Sequence, residues 1–584
     1  MRVLLLHPED VPVRGECARS HWDLIVDLGF AGASVYEGWS RQTGSRVITL
    51  HQFASQESYR WVKQGLAFGR GRLLDRMGLD WWEILAPCSY QEQQAVFLVE
   101  QLRRELGSGP VELVATRAHS HVQLLSLVTG WPVRCVVESP TSRPRLVSRI
   151  LAATQDLRPA QMIEIAFDKW DPSYHLRSRV TKHRRAQLKE PVMLLPSAYS
   201  NVTRTQLAYA AQLQDRRFLL ATTRRNGESD DLPANVNWVP LSAYADASAE
   251  TKVETAELIA VWNALQAELG QVDELRHRIQ ARLWDYIPSQ LETGLRLRDA
   301  WRVLMSSEPV KGVLCGDDLN YHTRLPLMMA KTMGCRAVYC SHGALDGGLL
   351  FKKSYADLNL VKGEMERDYM LQMSDIEPER SEIAAPAEDR AVQRSSAEDL
   401  QSSAIVMFSQ PYEVVGGRAG EIFREILSPL AAIARQLNRR LIVKLHPFES
   451  ARGRARLLRS VLSPEEFDHV EISQAPASEI LPRTFLGIGL DSSVAVECAQ
   501  HEIPYFMCGW LDFNGFGYMG QFAKFGVGML LDAPDQILSI PQRLVEFKPD
   551  RAKIQRFSQP ADDLRLDRLL FGTSEVLAAN KCAS

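Results

Sequence analysis

The sequence lacks any long apolar run. Nothing in it approaches the ~18 consecutive apolar residues of a membrane-spanning helix. The amino-terminal Val3-Leu4-Leu5-Leu6 stops at His7, too short for a signal-peptide core, and reads instead as a first strand. The nine cysteines (Cys17, Cys88, Cys135, Cys315, Cys335, Cys340, Cys498, Cys508 and Cys582) form no CxxC pair and no zinc spacing. Cys315 and Cys340 fall inside apolar runs, where a reduced thiol is an ordinary core filler. A cytoplasmic chain is expected. An excess of charge of one sign is missing too: 68 Lys plus Arg against 71 Asp plus Glu leaves −3, so nothing global points to nucleic acid. Any anion site must be local.

What is present is an ordinary globular composition, 45% hydrophobic, 24% charged and 8% aromatic over 584 residues. That length is too great for one core. Short apolar runs recur, each followed by a loop and a helical pattern: Val3 to Leu6, Val111 to Ala115, Val192 to Leu195, Phe218 to Ala221, Gly312 to Cys315 and Ala337 to Cys340. Beyond residue 400 come Ala404 to Phe408, Leu441 to Leu445, Val470 to Ile472, Leu486 to Ile488 and Tyr505 to Met507. Runs without alternation suit strands buried on both faces of a parallel sheet, and their alternation with helices predicts an α/β, doubly wound fold in two blocks. A helical segment is expected at about 254–306, with Leu258, Val261, Trp262 and Leu265 on one face, Leu275, Ile279 and Leu283 further on, and Pro288 interrupting. The polar stretch 376–403 reads as a linker.

Open α/β sheets bind ligands beyond the carboxyl ends of their strands. In the second block one strand runs into Lys444-Leu445-His446-Pro447, where Pro447 ends the ladder. Lys444 and His446, two apart, point the same way and together offer a phosphate a point charge and a ring N–H; the plainer alternative is a loop histidine beside a surface lysine. A second strand ends in Asp491-Ser492-Ser493 and opens a helix. Serine hydroxyls and unpaired first-turn amides make an anion-binding concavity there, with Glu497 one turn on for ribose hydroxyls; a plain cap is the alternative.

A Lys-x-His-Pro strand end followed by a Ser-Ser helix start resembles the carboxyl-terminal domain of GT-B glycosyltransferases that build bacterial surface polysaccharides such as capsule and lipopolysaccharide. The likeness, over about residues 400–530, is greatest to sialyltransferase-like and Kdo-transferase-like enzymes using CMP-sugars and to the related CDP-glycerol transferases. It implies that His446, Ser492 and Ser493 hold the donor phosphate. It also implies two Rossmann-like doubly wound domains facing a cleft, with a nucleotide-sugar donor and a glycan or lipid-linked glycan acceptor. The expected division is 1–375 for the acceptor domain, 376–403 for the linker, 404–560 for the donor domain and 561–584 for a carboxyl-terminal helix and tail.

In the first block the loops hold Gly316-Asp317-Asp318-Leu319-Asn320-Tyr321-His322-Thr323-Arg324 and Ser341-His342-Gly343-Ala344-Leu345-Asp346. A carboxylate or imidazole there could take the acceptor proton. Asp317 or Asp318 is preferred over His342; a carboxylate attacking the sugar instead would give retention. Asn320, His322, Arg324 and Asp346 are candidates for lining the acceptor cleft. The sequence has no Asp-x-Asp, so the metal-dependent GT-A arrangement lacks its ligand pair, and neither metal nor cofactor is expected. The Gly515-Phe516-Gly517-Tyr518-Met519-Gly520 match to GxGxxG starts well beyond a strand and is discounted. The basic run Arg177, Arg179, Lys182, Arg184 and Arg185 is either a solvated face or a weak attraction to an anionic inner-membrane surface. A sugar-nucleotide epimerase using Asp317 and His342, and a non-catalytic scaffold, are the competing readings.

Overall fold

The computed structural model describes residues 1–6, 20–29, 43–49, 56–89, 97–98, 101–104, 106–107, 109–115, 120–136, 185–224, 227–245, 249–343, 345, 353–387, 403–412, 417–446, 449–490, 492–512, 517–547 and 556–572, with positions 38, 40, 41 and 93. Three sheets, all parallel, account for the strands of these residues. The first contains β1 (Arg2–Leu6), β2 (Leu24–Asp27), β3 (Arg46–Thr49), β4 (Glu112–Ala115) and β5 (Val133–Cys135). The second contains β6 (Val192–Ser197), β7 (Arg217–Thr222), β8 (Val236–Pro240), β9 (Val310–Cys315), β10 (Arg336–Cys340), β11 (Leu358–Val361) and β12 (Ser381–Ile383). The third contains β13 (Ala404–Phe408), β14 (Leu441–Lys444), β15 (Val470–Ser473), β16 (Thr484–Gly489), β17 (Tyr505–Cys508) and β18 (Met529–Leu531).

The spatial orders are β3-β2-β1-β4-β5, β8-β7-β6-β9-β10-β11-β12 and β15-β14-β13-β16-β17-β18. Renumbered within each sheet, all three run 3-2-1-4-5 onward, the doubly wound dinucleotide-fold order, whose ligand crevice lies where the order reverses. The reversals fall between β1 and β4, β6 and β9, and β13 and β16. The expected pair of doubly wound sheets is thus present as the second and third, and a further sheet precedes them inside 1–375.

Burial explains the unbroken apolar runs. Residues 192–197 of β6 and 404–408 of β13 are buried throughout, as strands covered on both faces must be. Helices Ala249–Leu269, Asp273–Gln280 and Ile287–Ser307 stand between β8 and β9. Leu258, Trp262, Leu265 and Leu269 face inward at helical spacing, whereas Val261, expected on that face, is exposed. Pro288 starts the last of these helices rather than breaking one, since a first-turn residue needs no N–H partner. Trp82, from the crossover joining β3 to β4, stacks on Trp262 at 6.0 Å and meets Trp284 edge-on at 4.9 Å, fastening the first unit to the second.

Two further joints involve charge. Arg298 is buried among Glu254, Asp75 and Asp299, at 2.8, 2.9 and 2.8 Å. Burial alone would pull its pKa down, but the three carboxylates carry it above its ordinary value. At the carboxyl end of β2, Asp27 pairs in full burial with Arg418, which precedes the helix following β13 (Ala419–Gln436).

The linker expectation needs correction. Ser381–Ile383 is β12, paired in register with β11, so the sheet extends into the segment; residues 388–402 lie outside the description. The carboxyl-terminal helix Asp563–Phe571 returns to the second sheet. Its Leu566 and Leu570 join the cluster of Met193, Leu314 and Val338, and Asp567 grips Arg216 at 2.6 and 2.7 Å. On the way the chain crosses Gly363 so closely that a Cβ there would lie 2.3 Å from Phe557.

Candidate active site

The third sheet's crevice is framed by β13 and its two neighbours. β14 and β16 both pair with β13 in parallel, so the loops carrying His446 and Ser492-Ser493 leave the sheet at one edge, on either side of the β13 end. Close packing sets this edge: a Cβ on Gly489 would sit 2.9 Å from the Phe408 carbonyl oxygen and 2.6 Å from the Tyr505 hydroxyl. Ser492 is the N-cap of the helix Ser493–Gln500, accepting from the Val494 N–H at 3.4 Å. Ser493 is the first residue of that helix, and both serines are half-buried. Asp491 and Pro447 lie outside the described residues.

The His446 loop is fixed by a residue that sequence reasoning missed. Buried Glu449 accepts from the His446 backbone N–H at 2.7 Å, the Ser409 hydroxyl at 2.8 Å and the Arg454 Nε at 2.6 Å. It therefore ties the β13 end, the β14 loop and the following helix together. Burial pushes its carboxyl up, while Arg454 and these donors pull it back. The spacing His-Pro-Phe-Glu was visible in the sequence; that the carboxylate turns inward was not.

The half-buried Lys444 and His446 both have lowered pKa values, chiefly through burial, and His446 also through Lys444 beside it. His446 is consequently a neutral imidazole near pH 7, a hydrogen-bonding group more than a cation. Lys444 also feels Glu449, Arg204 and Glu497. Glu497 lies 3.9 Å from Arg204, on the helix Ser200–Gln212 that follows β6. Charges from β14, the helix after β16 and the helix after β6 thus gather where the second and third sheets face each other. Arg204 was missed because the β6 run was read without the helix behind it.

In the second sheet the candidates have different employments. Asp317 is buried; its Oδ1 accepts from the Leu319 N–H at 2.8 Å and its Oδ2 from the Asn320 amide. Each oxygen thus accepts one donor from its own loop, and Asp317 holds that turn together. Asn320 caps the helix Tyr321–Met329, accepting from the His322 N–H at 3.1 Å. Arg324 is buried, donating to the carbonyls of Asp318 and Lys353 at 3.3 and 3.2 Å, with the Asp318 carboxylate at 3.9 Å. Buried His322 stacks on Tyr321, and burial, with Arg224, pulls its pKa down to about 3. Asn320, His322 and Arg324, expected to line a cleft, also hold the loop and the start of its helix together. Asp346 lies outside the described residues.

His342 is placed differently. Half-buried after β10, its Nδ1 stands 2.6 Å from the Gly316 carbonyl oxygen. A carbonyl only accepts, so Nδ1 carries a proton, and in the neutral ring Nε2 presents the lone pair. That is the tautomer of a general base.

A cavity of about 770 Å³ opens at the opposite end of the third sheet, among Arg439, Arg440, Glu466 and Glu471. It adjoins the amino ends of β13 to β15, away from the loops described above. Of the basic run only Arg185 is described, its Nε 3.4 Å from the Ala243 carbonyl and its guanidinium 5.4 Å from the Tyr244 ring. Gly517, in the discounted glycine motif, is a left-handed N-cap of the helix Tyr518–Phe525, whose Tyr518 meets Tyr369 of the second unit at 4.8 Å. No helix among the described residues is long and apolar enough to cross a membrane.

No protein-family model matches the chain, and no curated protein matches it. Solved structures with a similar backbone course include a candidate UDP-N-acetylglucosamine 2-epimerase from Listeria monocytogenes (11% identity, 68% of this chain and 97% of that one, TM-score 0.43). CalG4, the calicheamicin glycosyltransferase, is similar at 12% identity over 68% of this chain and 98% of its own, with a TM-score of 0.38. The wall teichoic acid polymerase TagF is similar at 11% identity over 72% and 97%, with a TM-score of 0.39. The fold assignment rests on the strand orders, and the chemistry on the residues of this chain.

Proposed function

We propose that the chain is a metal-independent glycosyltransferase of GT-B type. It moves a sugar from a nucleotide-sugar, with a CMP-sugar favoured by the Lys-x-His-Pro and Ser-Ser resemblance, to a hydroxyl of a glycan or lipid-linked glycan in surface-polysaccharide synthesis. The observation that carries this reading is the common edge: His446 and Ser492-Ser493 emerge on either side of the β13 end, at the third sheet's reversal point.

The donor phosphate is held there by the His446 ring, the Lys444 ammonium and the first-turn N–H groups of the helix Ser493–Gln500, where the helix dipole favours an anion. Glu497 accepts from ribose hydroxyls. His342 Nε2 takes the proton of the acceptor hydroxyl as its oxygen bonds to the anomeric carbon. The bond from that carbon to the phosphate oxygen breaks, and its electron pair leaves with the phosphate. These preorganised donors stabilise the charge growing on the leaving oxygen. The proton on His342 passes to solvent.

Thermal shift with CMP, CDP, UDP, GDP and ADP tests the reading. One nucleotide should stabilise the fold, by about 2.7 kcal/mol at a hundred times its dissociation constant. No response to any at millimolar concentration would remove the donor site and leave the scaffold reading. The epimerase reading would need Asp317, whose oxygens each accept a donor from its own loop, to act on the sugar as well. An epimerase would convert a sugar nucleotide with no acceptor present.

A further inference from the structure

Three buried arginines have carboxylates: Arg418 has Asp27, Arg454 has Glu449, and Arg298 has three. Arg224, two residues beyond β7, has no carboxylate partner among the described residues. It is half-buried, and its guanidinium is gripped by neutral groups. Nη1 donates to the Tyr199 hydroxyl at 2.6 Å, Nη2 meets His322 Nε2 at 3.3 Å, and the guanidinium carbon stands 5.3 Å from the Tyr199 ring centre.

The histidine contact settles a protonation state. A guanidinium only donates, so His322 Nε2 must accept and the ring must be neutral. The depressed pKa of His322, about 3, agrees. Its Nδ1 therefore carries the proton, and that buried nitrogen has no hydrogen-bond partner among the described residues. Burying a donor without a partner is costly. Such a cost, incurred to keep a ring neutral beside an arginine, orients the guanidinium without cancelling its charge.

Position completes the picture. Tyr199 follows β6, Arg224 follows β7 and His322 opens the helix after β9, so the three surround the second sheet's reversal point, where its ligand crevice lies. Arg204, one turn beyond Tyr199, faces Glu497 of the third unit. Two N–H groups of Arg224 are used by Tyr199 and His322, leaving the rest of a planar fork suited to two oxygens of one anion.

We propose that Arg224, positioned by Tyr199 and His322, binds an oxyanion (phosphate or carboxylate) carried by the acceptor, making the acceptor an anionic glycan or glycan phosphate. This rests on the transferase reading of the cleft. The test is isothermal titration calorimetry of the full chain with inorganic phosphate at constant ionic strength, in the wild type and in H446A, R224M and R224K. The expected result is phosphate binding in H446A that R224M, in that background, weakens at least tenfold and R224K weakens less. Equal binding with and without R224M, or none in H446A at millimolar phosphate, overturns the subsite. Should R224M lower the melting temperature, R224K decides: it keeps a cation, so loss of binding equal to that of R224M points to a damaged fold and counts against the proposal. Phosphate binding that H446A leaves unchanged from wild type counts against the donor corner alone. Acetate in place of phosphate identifies the anion, the tighter of the two being the group the acceptor carries.

Discussion

The second and third sheets wind in the same order, yet their reversal points are built differently. In the third, β16 ends at Gly489 and the cap Ser492 comes three residues later, so the helix Ser493–Gln500 begins almost at once. In the second, β9 is followed by Gly316, Asp317, Asp318 and Leu319 before the cap Asn320, and that longer turn folds onto itself. Asp317 takes donors from Leu319 and Asn320, and the Thr323 hydroxyl donates to the Asp317 carbonyl at 2.5 Å. One topology thus gives an open anion corner after β16 and, in the turn after β9, a closed polar knot. A strand order tells where a crevice lies; loop length decides whether its polar groups are spent on each other.

The sharpest way to break this contrast is in the second sheet, where His342 and Asp317 have opposite duties. His342→Ala should lower turnover by about 10²–10⁴-fold, the usual contribution of a positioned general base, with the melting temperature nearly unchanged. Asp317→Ala should do the reverse. It leaves buried donors unmatched at a cost of about 1–3 kcal/mol in denaturant unfolding, and any loss of rate should follow from loss of fold. Inactive but stable Asp317→Ala protein would return the base to that carboxylate. In the third sheet, His446→Ala should cost about 10²–10³-fold in turnover, as removing one preorganised donor to a developing charge does. Near-normal turnover in that variant would leave the corner without its central group.

Much of the third sheet was legible because its signals are local. Lys444-Leu445-His446 and Ser492-Ser493 each sit directly beyond an apolar run, and strand period plus a cap residue suffice to aim them. The first sheet was not legible as a separate unit. Its β2 and β3 are four residues each, and Asp27 acquires meaning only from Arg418, 391 positions away. The edge strand β12 was hidden for a related reason: Ser381-Glu382-Ile383 is polar enough for a linker, and only pairing with β11 and the contact of Glu382 with Arg565 at 2.9 Å make it a strand. Asp317 shows the limit in the other direction. Polar density in a loop is visible in a sequence, but not which of those groups will satisfy one another.

The two sheets should also part company on acidification. His322, its pKa held near 3 in the fold, titrates near 6.5 once unfolded. The unfolded chain therefore binds the extra proton first, and stability present above about pH 6.5 is lost progressively as pH falls toward 3. Between pH 6.5 and 5 the loss from this residue is about 2 kcal/mol, as the slope rises toward 1.36 kcal/mol per pH unit. His322→Phe should flatten that part of the stability profile in urea titrations. An unchanged slope would mean that the ring is not kept neutral. His446 is lowered as well, but it is only half-buried and should contribute less.

The smallest effects give the cleanest comparison, because Ser492 and Asn320 hold the same place: each caps the helix that follows the fourth strand of its sheet. Aspartate caps a helix as well as serine or asparagine does. Ser492→Asp should therefore keep stability within about 0.5 kcal/mol, yet weaken nucleotide binding roughly tenfold by setting a negative charge where the phosphate belongs. Asn320→Asp should leave nucleotide binding alone. It should instead loosen the fold, by about 1–3 kcal/mol, because the Asn320 amide that donates to Asp317 becomes a second carboxylate facing the first. Equal effects of both substitutions on nucleotide affinity would show that the two reversal points serve one ligand together, and the division between an open corner and a closed knot would fall with it.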